Sequence, residues 1–280
     1  MFARMARSYT DFRRKGNAMD MNLAGRHALV RGASQGIGRA CAIELAMLGA
    51  NVTLMARRAE VLKELAEALP RNAASQTHGF LAADAGDTDG LRAAVQALAS
   101  ASPVHILINN SGGPPPGPVH GTEIEAFLDA YRKHLLANHV VTEIVVPGMQ
   151  AARYGRIVNI ISTSVKEPIK GLGVSNTTRW AVASWAKTLA TELAPFGITI
   201  NNVLPGSTHT PRIEQIVQTR AQKSGSSIAD TQREMEAEIP MRRFAEPSEI
   251  AAAVAFLASP AAGYITGVNL PVDGGRTHSL

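Results

Sequence analysis

The chain has 280 residues, 45% hydrophobic and 18% charged, with a net charge of +5; this is a globular composition, long enough for one α/β domain with a sizeable core. One cysteine, Cys41, excludes an internal disulfide framework and fits a reducing, cytoplasmic setting, and its place in a helical pattern marks it as a buried structural thiol. The apolar runs are too short to span a membrane, and the positive charge is spread without a basic helix, so neither membrane nor nucleic acid is an expected partner.

Residues 1–20 differ from the rest: Arg4, Arg7, Arg13, Arg14 and Lys15 outweigh Asp11 and Asp20, with no apolar segment of a secretion signal. A disordered basic extension is expected there, or an upstream start with initiation at Met21. An apolar run, His27 to Val30, then leads into Gly32-Ala-Ser-Gln-Gly36-Ile-Gly38, a helical pattern ending at Gly49, and a second run from Val52 to Met55. Strand, glycine turn, helix and strand form the unit that holds a dinucleotide. Side chains at Gly32 or Gly36 would keep backbone N–H groups from a pyrophosphate, and Gly38 lets the helix start close to the sheet. Ser34, Gln35 and Ile37 complete that candidate cradle.

Further on, helical spacing covers Glu60 to Leu69, Leu91 to Leu98, and then Thr122 onward and Tyr131 to about Met149. Buried-type strands are expected at Phe80 to Ala83, Val104 to Ile108, and Gly155 to Ile161, with a stiff loop at Pro114 to Pro118. A helix over Thr177 to Leu193, a strand over Ile198 to Val203, a helix over Pro247 to Leu257 and a strand before Asp273 close the pattern. Such alternation predicts an α/β fold: a single doubly wound parallel sheet of Rossmann type, helices on both faces, over residues 21–280. The polar stretch at about 207–245 follows a strand's carboxyl end and is expected to be a substrate lid.

From about Gly25 to Gly275 the chain resembles the short-chain dehydrogenase/reductase family, and most closely its 3-oxoacyl-carrier-protein reductase branch. The glycine turn matches the family motif, with Arg31 where threonine is usual. Asn109-Asn110-Ser111-Gly112 matches its Asn-Asn-Ala-Gly stretch, and Asp273-Gly274-Gly275 its C-terminal signature. The resemblance implies that Asp84 and Ala85 contact adenine, that Asn110, Ser111 and Gly112 line the cofactor, and that Pro205, Gly206, Thr208 and Thr210 hold the nicotinamide amide. It also implies a homo-oligomer, dimer or tetramer, with Trp180 and Trp185 in its core or interface. NAD-preferring enzymes of this type place an acid after the second strand; here Ala56 is followed by Arg57 and Arg58, whose guanidiniums suit a 2′-phosphate. The expected cofactor is therefore NADP(H) rather than NAD(H).

The family's reaction centre is where this sequence departs. Its serine falls on Ser162, but its tyrosine, thirteen residues on, falls on Ser175, and its lysine, four further, on Arg179. The asparagine of the earlier helix falls on His134. A serine hydroxyl is a far weaker acid than a phenol, so proton donation has to come from elsewhere. His134 or Lys166 is the expected donor, with Ser162 and Ser175 polarising the substrate oxygen and His209 a further candidate; Arg179 is expected to bond the nicotinamide ribose. No metal site is expected. Two readings follow for a small-molecule site: an NADP(H)-dependent oxidoreductase of a carbonyl or alcohol, with an altered proton donor, or a nucleotide-binding homologue that does not turn over. Reduction of a carbon–carbon or imine double bond is a third.

Overall fold

A computed structural model describes residues 19–279; the basic segment expected at the N-terminus lies, but for Met19 and Asp20, outside the described residues. Seven strands form one sheet: β1 (His27–Arg31), β2 (Asn51–Ala56), β3 (His78–Ala82), β4 (Ile106–Asn109), β5 (Gly155–Ile160), β6 (Ile198–Pro205) and β7 (Asn269–Val272). All pairs are parallel, in the order β3-β2-β1-β4-β5-β6-β7. The chain reverses its direction of winding between β1 and β4, which opens a crevice at the strands' carboxyl ends.

The two faces follow from side-chain alternation. Ala28, Val30, Ile106, Ile108 and Val158 pack on one side with Cys41 and Leu45 of α1 (Gly36–Met47), Leu62 of α2 (Ala59–Ala68) and Val254 of α9 (Pro247–Ala258). Leu29, Leu107, Ile157 and Ile200 pack on the other. They meet Leu91 of α3 (Thr88–Ala101), Val145 of α5 (Ala137–Ala152) and Ala186 of α6 (Gly173–Leu193). Cys41 is wholly buried, and burial pushes its thiol well above the ordinary range. Trp185 packs against the core and edge-on to His139, whereas Trp180 is half-exposed and donates its indole N–H to the Ser164 carbonyl.

Two expectations are corrected. The helix that was to begin near Thr177 begins at Gly173, so Ser175 lies in its first turn; Gly173 is required because a Cβ there would meet Val119 at 2.5 Å. The helical stretch after Thr122 is split into α4 (Ile124–Tyr131), a π-helical turn (Arg132–Leu136) and α5. The polar segment after β6 is two helices, α7 (Pro211–Ser224) and α8 (Ile228–Ala237), around a small core of Ile213, Val217, Met235, Ile239 and Phe244.

A chain of side-chain amides crosses the sheet's carboxyl end. Asn109 donates to Asn159, Asn159 to Asn202, and Asn202 to Asn269, each at 2.8–2.9 Å. Its direction is set at β1, where the Arg31 guanidinium, able only to donate, bonds the Asn109 Oδ1 at 2.8 Å and that of Asn138 at 2.5 Å. The amide oxygens thus point back toward a buried cation that has no carboxylate partner among the described residues.

Candidate active site

A cleft of 1410 Å³ lies over the crevice between β1 and β4. That is more than the roughly 300–1,000 Å³ of a drug-sized pocket and leaves room for a dinucleotide with a second molecule beside it. Gly32, Ser34, Gln35, Gly36 and Ile37 line one end, with Arg57, Arg58, Asp84 and Ala85. The middle is lined by Asn110, Ser111 and Gly112, and the far side by Pro205, Gly206, Thr208 and Thr210. Gly38 does not line it. A Cβ at Gly38 would sit 2.3 Å from the Gly32 carbonyl oxygen, so this glycine serves the close approach of turn and helix. At Gly32 the backbone has φ +61°, and a Cβ would meet Asn110 at 2.7 Å.

The first turn of α1 has neither a side-chain cap nor an acidic residue. Its unpaired N–H groups and positive end therefore face the cleft, an arrangement that binds a pyrophosphate. Arg57 and Arg58 are exposed at the end of β2 with no acid at Ala56, and their forks are free to hold a 2′-phosphate. Asp84 spends one carboxylate oxygen on the Gly86 N–H at 2.9 Å. The residues present therefore fit NADP(H).

Ser162, Ser175, Arg179 and His134 all line the same cleft. Ser162 leaves β5 and caps a short 3-10 turn, its Oγ accepting the Ser164 N–H at 3.1 Å. Ser175 and Arg179, four apart on α6, share a helix face. Arg179 is buried. It donates to the Ile160 carbonyl at 3.1 Å, its Nε has no partner among the described residues, and burial lowers its pKa to about 10. Lys166 does not line the cleft, which corrects its expected role: the 3-10 turn carries it away and presents Lys170 instead. His209 is likewise turned outward, against the Phe244 ring and toward Glu246.

His134 sits in the π-helical turn, where one extra residue per turn rotates its ring inward. Its Nδ1 lies 2.6 Å from the Ser111 Oγ. Burial, and then the charges of Arg179, Arg31 and Lys133, lower its pKa to about 2. Burial and the neighbouring cations thus favour the neutral imidazole and disfavour an imidazolium donor at this position. A linkage consequence can be measured. The unfolded imidazole titrates near ~6.5, so below that pH the unfolded chain binds the extra proton and stability falls on acidification. Between pH 6.5 and 4.5 the loss approaches ~1.4 kcal/mol per pH unit. His27, His78 and His105 shift the same way through burial. The diagnostic quantity is thus the difference in the pH dependence of Tm between wild type and His134→Asn, which is expected to be shallower.

No tyrosine among the described residues takes the missing phenol's place. Tyr154 donates to the Ala258 carbonyl at 3.0 Å beneath the guanidiniums of Arg26 and Arg156, Tyr264 is fully exposed, and neither lines the cleft. Sequence reasoning missed Arg212, in the first turn of α7, whose guanidinium enters the cleft and donates to the Pro114 carbonyl at 2.7 Å. Its only sequence signal was a basic residue just after a helix-capping Thr-Pro pair.

Sheet order, glycine turn and cleft together define a Rossmann-type nucleotide-binding protein with a reaction centre beside the nucleotide. Comparison with known proteins takes this one step further. A family model described as enoyl-(acyl carrier protein) reductase matches residues 32–277, and the chain belongs to the short-chain dehydrogenase/reductase family. It is 30% identical over 256 residues to the NADPH-dependent reductase BacG of Bacillus subtilis, covering 91% of this chain and 99% of that one. Identity to the 3-oxoacyl-[acyl-carrier-protein] reductase FabG of Vibrio cholerae is 34% over 259 residues, covering 91% and 98%. The L-sorbose reductase of Gluconobacter frateurii, solved with NADPH and L-sorbose, superposes with a TM-score of 0.87 at 30% identity, covering 94% and 100%. No helix among the described residues is long and apolar enough to cross a membrane.

Proposed function

We propose that this protein is an NADPH-dependent reductase of a carbonyl-bearing small molecule, in which a buried cation rather than a phenol meets the charge that develops on the substrate oxygen. The observation that carries this reading is Arg179, a buried guanidinium beside Ser162 and Ser175 at the point where the family holds its tyrosine and lysine. Bound NADPH supplies a hydride. Arg179 stabilises the oxyanion, and the two serine hydroxyls hydrogen-bond to the same oxygen, in a dry site where such donors act strongly. Neutral His134, bonded to Ser111, can donate one N–H but is a far weaker acid than a phenol.

Charge without a matched acid favours one kind of reaction. An alkoxide, formed when a ketone is reduced directly, is a strong base that demands a proton at once. An enolate, formed when hydride adds to a carbon–carbon double bond conjugated to the carbonyl, carries its charge on an oxygen that is a much weaker base than an alkoxide's, and a cation can hold it until solvent protonates its carbon. The enoyl reductase description of the matching family model supports the second chemistry. A non-catalytic nucleotide sensor is the remaining reading, favoured by Ser175 at the tyrosine position. NADPH fluorescence titration followed by a turnover screen over enones, enoyl thioesters and ketones decides: binding with conjugated reduction is expected, and binding with no turnover at all would leave the sensor.

NADP(H) as cofactor is supported by the NADPH dependence of the relatives and by the two arginines. Replacing Arg57 and Arg58 together with alanine is expected to weaken NADPH binding by about a hundredfold, the two bonds being exposed, and to leave NADH unchanged. Titration of both nucleotides measures it. A homo-oligomer is proposed through the face of α4, the π-helical turn and α6, where Ile124, Leu128, Leu136 and Trp180 are exposed. Sedimentation at a multiple of the chain mass is the expected result, and a monomer would refute it.

A further inference from the structure

We infer that the substrate carries an anionic group of its own, a carboxylate or a phosphate within a few atoms of the reducible bond, held between Arg179 and Arg212 above Gly113. The inference rests on the reductase reading and extends it to substrate class. A point one Cβ length above Gly113 lies 3.8 Å from the Nη2 of Arg179, 3.8 Å from the Nη2 of Arg212 and 4.0 Å from its Nε. The two forks therefore approach one another beside Gly113, with their Nη2 atoms at most twice that distance apart. This is the span that the oxygens of one small oxyanion bridge when each accepts a hydrogen bond.

Nothing in the protein answers these charges. Arg179 gives one hydrogen bond, to a neutral carbonyl, and its Nε is buried without a partner among the described residues. Arg212 also donates to a neutral carbonyl, that of Pro114. The carboxylates that line the cleft are engaged elsewhere: Asp129 with Lys133, Glu238 with Arg220 and Arg276, and Asp84 with its own turn. No ion pair within 4.0 Å involves Arg179 or Arg212 among the described residues. The two guanidiniums repel one another, and Arg212 adds to burial in lowering the pKa of Arg179. Two like charges, one of them buried, are costly to hold together without an anion between them.

The cofactor's own anions have other seats. The capless first turn of α1 suits the pyrophosphate and Arg57 with Arg58 the 2′-phosphate, and both groups of residues lie on the β1–β2 side. Gly113 follows β4 and faces Arg212 of α7 across the reaction centre. Arg212 rides on the segment that covers the cleft, so an anion bound there also ties that segment to the floor through Arg179.

The test uses the full chain loaded with NADPH and three probes at constant ionic strength: malonate, methyl phosphate and the neutral malonamide, each titrated calorimetrically. At least one of the two anions is expected to bind and malonamide not to; the tighter anion identifies the group. Arg212→Gln is expected to weaken that anion by about tenfold or more while Arg212→Lys weakens it less, and NADPH affinity should stay within threefold in both. The inference is overturned if neither anion binds the loaded wild type, if malonamide binds as well as malonate, or if Arg212→Gln binds the anion as wild type does. Failure of NADPH itself to bind would instead refute the reductase reading on which the inference rests.

Discussion

Arg179→Gln is expected to lower kcat by about 10²–10³-fold while NADPH still binds, its affinity reduced by about tenfold at most. The reason is where the charge sits. A buried guanidinium acts through a low local dielectric, so its attraction for an oxyanion is far larger than it would be in water. Glutamine removes the charge and also ends two bonds short of the Nη1 that bonds the Ile160 carbonyl, so that hydrogen bond is lost together with the charge. Arg179→Lys restores a cation on a shorter, unforked side chain and is expected to recover part of the rate. Steady-state kinetics on a substrate from the turnover screen, with circular dichroism to verify folding, measures both variants. Equal rates in wild type and Arg179→Gln would show that the oxyanion is stabilised elsewhere. Ser162→Ala and Ser175→Ala remove neutral donors only and should cost less than the cation does.

Much of the frame was legible because period and punctuation agree along the chain. The alternation of Ala28, Leu29 and Val30 sends neighbours into opposite cores, and the glycines at 32, 36 and 38 lie where a close turn needs them. What was not legible depends on long-range packing. A π-helical turn has no composition of its own, so nothing in Arg132–Leu136 announced that His134 would swing inward and lose its proton. Lys166 looked near the reaction centre by spacing from Ser162, yet one 3-10 turn is enough to remove it from the cleft. Gly173 lies ahead of the helix expected from Thr177 yet opens that helix, at a point where Val119 leaves no room for a side chain. The amide chain from Asn109 to Asn269 needs the register of four strands, which asparagines at the strands' carboxyl ends only hint at. Arg212 and Arg179 are 33 positions apart in sequence, and only the fold of α7 over the cleft brings their charges to one point.

Gly38→Ala is expected to weaken NADPH binding by about a hundredfold or more and to lower Tm by several degrees. A methyl group there would sit 2.3 Å from the Gly32 carbonyl oxygen, 2.8 Å from its carbon and 2.7 Å from the Asn110 Nδ2. Two of these three atoms are backbone and cannot rotate away, so α1 and the glycine turn must separate. The Asn110 amide also donates to the Gly32 carbonyl at 3.3 Å and holds the turn against β4. Separation would break that bond and turn the N–H groups of the first helical turn away from the nucleotide, removing several charge-assisted hydrogen bonds at once. Overpacking of this kind costs about 1–3 kcal/mol, which for a domain of this size is roughly 2–4 °C per kcal/mol. Gly79→Ala is the matched control. It lies in β3 with nothing within 4 Å of the added methyl, and is expected to leave both NADPH affinity and Tm unchanged. If Gly38→Ala bound NADPH as tightly as wild type, the pyrophosphate would have to lie away from this turn, and the whole placement of the cofactor along the cleft would be wrong.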